Sequence, residues 1–157
     1  MEHKLLEVGM EAPDFTLMGS DREVHALNQY RGKRVVLYFY PKDNTPGCTT
    51  QAQQFRDEFS KFNDANTVIL GVSRDSMVVH EKFVDKHNLP FILLADTEEI
   101  VCETYGVLKE KNMYGKKSIG IERSTFVINE EGILTNIYRK VKVADQMCEL
   151  STVLGLE

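Results

Sequence analysis

The sequence predicts one α/β domain, residues 1–157, with a mixed central sheet flanked by helices on both faces. Three observations predict it. Short apolar runs at Arg34–Tyr40, Thr67–Ser73 and Phe91–Ala95 alternate with stretches whose apolar residues recur at helical spacing, the pattern of strand–helix–strand units with parallel pairing. A later pair of strand-like stretches brackets Glu130-Glu131-Gly132, a hairpin signal that adds antiparallel strands. The chain has 157 residues and is 42% hydrophobic, which suits one domain with a full core.

Taken in order, Asp14–Met18 and Val24–Leu27 read as an N-terminal hairpin. Arg34–Tyr40 (RVVLYFY) is apolar throughout and is stopped by Pro41, as expected of a strand buried on both faces. The breaker-rich loop Pro41–Gly47 follows. Cys48, Ala52, Phe55, Phe59 and Phe62 then fall at i, i+4, i+7, i+11 and i+14, one face of a helix. After the strand Thr67–Ser73, Asp75 or Ser76 caps a helix running to about His87, with Val79, Phe83 and Val84 inward. Phe91–Ala95 is the third strand. A short helix from Asp96 or Thr97 stops near Gly106. Lys109–Gly120 reads as a polar loop, Ser124–Asn129 and Ile133–Arg139 as the late hairpin, and Ala144–Leu154 as an amphipathic C-terminal helix.

Composition narrows the function. A net charge of −5 and the lack of a basic stripe argue against nucleic acid or an anionic membrane as partner. Lys109, Lys111, Lys116 and Lys117 cluster, but on the stretch read as a solvated loop. No apolar run approaches the ~20 residues of a membrane span, and only Leu5-Leu6 pairs apolar residues near the start, so a cytoplasmic protein is expected. The three cysteines, Cys48, Cys102 and Cys148, are odd in number and widely spaced, which does not suit a disulfide framework. There is no CxxC, and no histidine stands at ligand spacing from a cysteine, so no metal is expected.

The chemistry concentrates in Tyr40–Gln51 (YPKDNTPGCTTQ). A thiol attacks as its thiolate, and a free cysteine has a pKa of about 8.5, so something must favour negative charge on sulfur. The first turn of a helix does so through its unpaired N–H groups and the positive end of its dipole. Cys48 follows Pro46-Gly47 and falls in that turn, with proline near the first helical position. Thr45 is placed either to cap the helix or to offer its hydroxyl toward the sulfur, and Pro41 to shield the pocket. A second reading stands beside this one: Cys48 also heads the stripe Ala52, Phe55, Phe59, as an inert core cysteine would.

The string Pro41-x-x-x-Thr45-x-x-Cys48 resembles the PxxxTxxC motif of the peroxiredoxins, and FYPKDNTPGCTTQ resembles the bacterioferritin-comigratory-protein subgroup, also called PrxQ. Gly9–Phe15, Gly71-Val72-Ser73, Tyr105-Gly106-Val107 and Tyr114–Lys116 followed by Ile121–Ile128 are similar to family segments in the same order, over nearly the whole chain. The resemblance implies a thioredoxin-like fold and a thiol peroxidase needing no metal, haem or flavin. It implies Cys48 as the peroxidatic cysteine, Thr45 as its hydrogen-bonding neighbour, Pro41 as the pocket shield and Arg123 as the arginine that supports the thiolate and orients the peroxide. Read from the residues alone, Arg123 sits just before a strand, where a sheet end can hold it, and its permanent charge suits a thiolate; an ordinary surface arginine paired with Glu122 fits the same position. Gln51 aligns with a polar helix residue that helps to hold the arginine in many relatives. The implied partners are a peroxide and a thioredoxin- or glutaredoxin-like reductant, and the chain is expected to be a monomer or weak homodimer.

The sequence departs from the family at the second thiol. Many PrxQ relatives carry a resolving cysteine five residues after the peroxidatic one, where this chain has Gln53. Others place it on the helix that corresponds to Asp75–His87, which has no cysteine. Cys102 reads as a core residue and Cys148 as structural or half exposed, so a one-cysteine mechanism with an outside thiol is expected. The missing CxxC argues against a thiol carrier; a chaperone or redox-sensor role is conceivable only as an addition.

Overall fold

The computed structural model describes residues 5–156. Its centre is a seven-stranded mixed sheet in the order β2-β1-β5-β4-β3-β8-β9. The strands are β1 Thr16–Gly19, β2 Val24–Ala26, β3 Arg34–Phe39, β4 Thr67–Ser73, β5 Ile92–Ala95, β8 Ser124–Ile128 and β9 Leu134–Arg139, with β6 Leu108–Met113 and β7 Lys116–Ile121 as a separate two-stranded ribbon. β3, β4 and β5 are parallel, and antiparallel strands extend the sheet on both sides. The helices are α1 Pro46–Asp57, α2 Phe59–Asp64, α3 Met77–His87, α4 Ile100–Thr104 and α5 Val143–Leu154.

The apolar runs become the buried strands for a simple reason. Every residue of Val35–Phe39 is buried, because alternate side chains enter cores on opposite faces of the sheet. Val36, Tyr38 and Tyr40 join α1, α2, α3 and α5 around Phe55, Phe62, Phe83, Leu150 and Leu154. Val35, Leu37 and Phe39 join the opposite core with Phe15, Val101, Cys102, Tyr105 and Phe126. Helices thus flank both faces, unequally: four lie on one, and short α4 with the N-terminal segment covers the other. Gly71 is required by packing, since a Cβ there would lie 2.7 Å from Leu93 Cδ2 and 2.8 Å from Tyr38 Cζ, so the Tyr38 ring lies directly against β4.

Three readings change. The stripe Cys48–Phe62 is two helices, not one: Glu58 leaves helical geometry (φ −104°, ψ 8°), and beyond it Phe62 is fully buried while Phe59 is only partly so. The stretch Lys109–Gly120, read as a loop, is the β6–β7 ribbon. Its turn places Tyr114 (φ 53°) and Gly115 (φ 79°) both in the left-handed region, as a tight hairpin requires. The short helix starts later, at Ile100. Asp96 caps it from a distance, accepting from Val101 N at 3.3 Å and Cys102 N at 2.7 Å.

Candidate active site

Topology alone brings two distant segments together. β8 runs antiparallel to β3, with Ser124 opposite Phe39. The residue before Ser124 therefore stands beside the residues after Phe39, where β3 gives way to the loop and α1. Arg123 is thus delivered to Cys48, and its Nη2 lies 3.4 Å from Cys48 Sγ. Gly47 leaves room for this approach, since a Cβ there would lie 3.2 Å from Nη2. Cys48 is the third residue of α1, whose N-cap is Thr45 and whose first residue is Pro46. Pro46 has no N–H, and the N–H groups of Gly47 and Cys48 are unpaired by the helix's own ladder, which starts at Thr49, and point out of its N-terminal end. The sulfur is thus set between a guanidinium and a helix N-terminus, both of which favour negative charge on it. Cys48 is nonetheless only 2% exposed, with Ala52 and Phe55 beneath it. Cys48 thus heads the core stripe and also meets the arginine.

The guanidinium is held from behind. Arg123 Nη1 donates to Gln51 Oε1 at 2.5 Å, and Gln51 Nε2 donates to Gln146 Oε1 at 2.6 Å. Gln146 Nε2 in turn donates to the Thr125 hydroxyl. Gln51 and Gln146 are buried, so this chain of amides from β8 through α5 and α1 fixes the fork's orientation in a place where each lost bond would strand a polar group. Gln51 was legible in the sequence. Gln146 was not: it is one polar residue on an amphipathic helix, and its partner is 95 positions away.

Pro41 and Thr45 are both half-buried in the loop. The Thr45 hydroxyl neither caps α1 nor reaches the sulfur here; it donates to Lys42 O at 2.8 Å, while its carbonyl accepts from Thr49 N. Behind the loop lies a polar cluster that sequence reasoning missed. Asp43 and His80 are buried, with His80 Nδ1 2.6 Å from Asp43 Oδ2 and Tyr40 Oη donating to Asp43 Oδ1 at 2.5 Å. Burial, reinforced by the Asp43 charge, pushes the Tyr40 phenol well above its ordinary range, so it remains a donor. Ligand atoms of Asp43, Asp75 and His80 lie within 4.8 Å of one another, and each is engaged in a short hydrogen bond.

The other cysteines are placed apart. Cys102 belongs to the core on the opposite face of the sheet from Cys48. Burial, with Asp96 beside it, pushes its thiol far above the ordinary range. Cys148 is exposed on α5, two residues on from the inward-facing Gln146 and therefore on another side of the helix.

Residues 8–137 match the AhpC/TSA family. The chain belongs to the AhpC/TSA family, among the Bcp/PrxQ peroxiredoxins. It is 52% identical over 144 residues to peroxiredoxin Bcp of Bacillus subtilis, covering 92% of each chain. It is 50% identical over 145 residues to a putative peroxiredoxin bcp of Coxiella burnetii, covering 92% of this chain and 96% of that one. Among solved structures, PrxQ from Xylella fastidiosa superposes with a TM-score of 0.91 at 37% identity, covering 97% of both chains. The bacterioferritin comigratory protein of Xanthomonas campestris, studied for alkyl peroxide reduction, gives 0.89 at 41% identity over 95% of this chain and 98% of that one. The thioredoxin-like α/β fold that the motifs implied is the fold of this peroxiredoxin. No described helix is long and apolar enough to cross a membrane.

Proposed function

We propose that this peroxiredoxin is a thiol-dependent peroxidase for hydrogen peroxide and organic hydroperoxides, that Cys48 is its attacking residue, and that a thiol from outside the chain resets it. The observation that carries the reading is the Arg123 guanidinium 3.4 Å from Cys48 Sγ at the N-terminus of α1. The thiolate attacks one peroxide oxygen in line; an S–O bond forms as the O–O bond breaks, sulfur loses two electrons, and the leaving oxygen takes a proton to depart as water or alcohol. Arg123 and the first-turn N–H groups stabilise the departing charge. Thr45 joins them by turning its hydroxyl from Lys42 O toward the bound peroxide, and Pro41 limits water's access. The alkyl peroxide reduction activity named for the Xanthomonas campestris protein extends the proposed substrates to alkyl hydroperoxides.

The product is Cys48 sulfenic acid. Cys102 is separated from it by the sheet and Cys148 faces solvent, which supports a one-cysteine cycle. An external thiol condenses with the sulfenic acid, releasing water, and a second thiol frees Cys48 as a disulfide leaves. A thioredoxin- or glutaredoxin-like protein in the cytoplasm fits that role, and the enzyme works as a monomer or weak homodimer of one domain.

The test is the intact mass of the reduced protein after one equivalent of hydrogen peroxide with a sulfenic-acid trap present. A single trapped adduct on Cys48, absent from Cys48→Ser, is expected. Loss of two hydrogens without adduct would mean that Cys102 or Cys148 resolves the acid; no fast reaction, or an equal one in Cys48→Ser, would end the peroxidase reading. Alkylation of the native protein should also label Cys148 readily and leave Cys102 untouched until the chain unfolds, as mapped by peptide mass; early labelling of Cys102 would contradict its placement.

A further inference from the structure

The loop between β3 and α1 must hold one conformation for Arg123 to meet Cys48, yet it contains Pro41 and has Asn44 in the left-handed region (φ 66°). What fixes it is a set of contacts converging on Asp43. Its carboxylate accepts from Tyr40 on one side and faces His80 on the other, and its backbone N–H donates to Asp75 Oδ2 at 2.8 Å. Asp75 is itself held by the Ser73 hydroxyl at 2.8 Å. The far side of the imidazole is tied as well: Nε2 lies 3.0 Å from Leu94 O of β5. A carbonyl oxygen can only accept, so Nε2 donates to it and Nδ1 is the atom that faces Asp43. Both side chains are fully buried, and a hydrogen bond of 2.6 Å in that setting is strong and geometrically strict.

We propose that His80 is a positioning residue for the peroxidase reaction: anchored to β5 by Nε2, it grips Asp43 by Nδ1 and so latches the loop Pro41–Gly47 in the conformation that sets Cys48 against Arg123. The inference rests on the proposed role of Cys48. The latch matters because Cys48 is only 2% exposed: a small peroxide needs little space to reach it, whereas a protein thiol needs the loop to part. A firm latch favours the closed state in which the peroxide reacts; a broken one favours the open state.

The experiment measures three quantities in wild type, His80→Asn and Asp43→Asn: the single-turnover rate of the reduced enzyme with hydrogen peroxide, the rate at which iodoacetamide alkylates Cys48, and the melting temperature. Asp43→Asn preserves shape and serves should His80→Asn fail to fold. Phe83→Leu, a turn further along α3 in the same core but with no part in the Asp43 hydrogen bonds, is the control for simple loss of stability. Both latch variants should slow the peroxide reaction by about ten- to a hundredfold, the size of effect that small misplacements produce. Both should leave Cys48 easier to alkylate, and Phe83→Leu should do neither at a comparable loss in melting temperature. If the latch variants keep the wild-type peroxide rate, or Phe83→Leu reproduces their loss, His80 is merely structural and the proposal falls. A wild type that does not react with peroxide would instead remove the reading of Cys48 on which it rests.

Discussion

Replacing Arg123 with methionine should slow the reaction of Cys48 with hydrogen peroxide by about 10²- to 10³-fold, the range seen when one preorganised donor is lost from a reacting centre. Methionine keeps much of the length and apolar bulk of the side chain, so the fold should persist. What it removes is the charge 3.4 Å from the sulfur and the fork that ties that charge to Gln51. Lysine restores the charge but not the fork. A single ammonium cannot face Sγ and Gln51 Oε1 along the two fixed directions the guanidinium uses, so Arg123→Lys should fall between wild type and Arg123→Met. Competition for peroxide against an enzyme of known rate measures all three variants, and thermal melts check that they remain folded. If Arg123→Met stays within about threefold of wild type, a loss far below that of a catalytic donor, the arginine is not part of the chemistry.

The same geometry shows why some of the site is legible in the sequence and some is not. Cys48 announces itself locally: a proline and a glycine precede it, and a helical stripe starts at it. Arg123 carries a weaker local signal, its place at a strand start, and only the antiparallel pairing of β8 with β3 makes that position meet Cys48. The supports of the site have no local signal at all. His80 lies 37 positions from Asp43, on a helix whose inward face reads as Val79, Phe83 and Val84, and no local feature shows that a histidine there meets a carboxylate from a distant loop. Gln146 is concealed in the same way on α5. Buried polar residues earn their place through long-range partners, and periodicity records only which face is apolar.

The β6–β7 ribbon was misread for a different physical reason. Nearly all of Lys116–Gly120 is open to solvent, so neither face needs apolar residues and the period-2 signal of a strand never arises. Its pairing comes from the backbone ladder and from a turn that demands two left-handed residues, of which only Gly115 is an obvious marker. The break at Glu58 escaped notice because the apolar spacing Phe55, Phe59, Phe62 fits one continuous helix as well as two. The buried strands, by contrast, were legible almost residue for residue, because burial on both faces requires an unbroken apolar run.

The second large effect concerns stability. Phe55→Ala should lower it by about 3–5 kcal/mol, the cost of removing a buried aromatic ring and leaving its cavity. Phe55 is fully buried, and its ring packs 4.7 Å from that of Tyr38, 5.7 Å from Phe62 and 6.1 Å from Phe91. These neighbours are aromatic residues fixed on a strand, a helix and a loop, so they cannot easily move in to refill the space. For a chain of this size the loss corresponds to a fall in melting temperature of roughly 6–20 °C. Phe55 also sits two helical turns beyond Cys48 on α1, so it anchors the body of the helix whose first turn holds the sulfur. The rate with peroxide, measured well below the melting point, should therefore change far less than in Arg123→Met, because the Arg123 fork stays in place and Gln51, one turn before Phe55, keeps its bonds to Arg123 and Gln146. Urea titration of the variant, paired with its peroxide rate at low temperature, separates the two effects. A drop of under about 1 kcal/mol would show that the aromatic cluster collapses into the void, whereas a rate loss as deep as that of Arg123→Met would show that α1 transmits its packing directly to the sulfur.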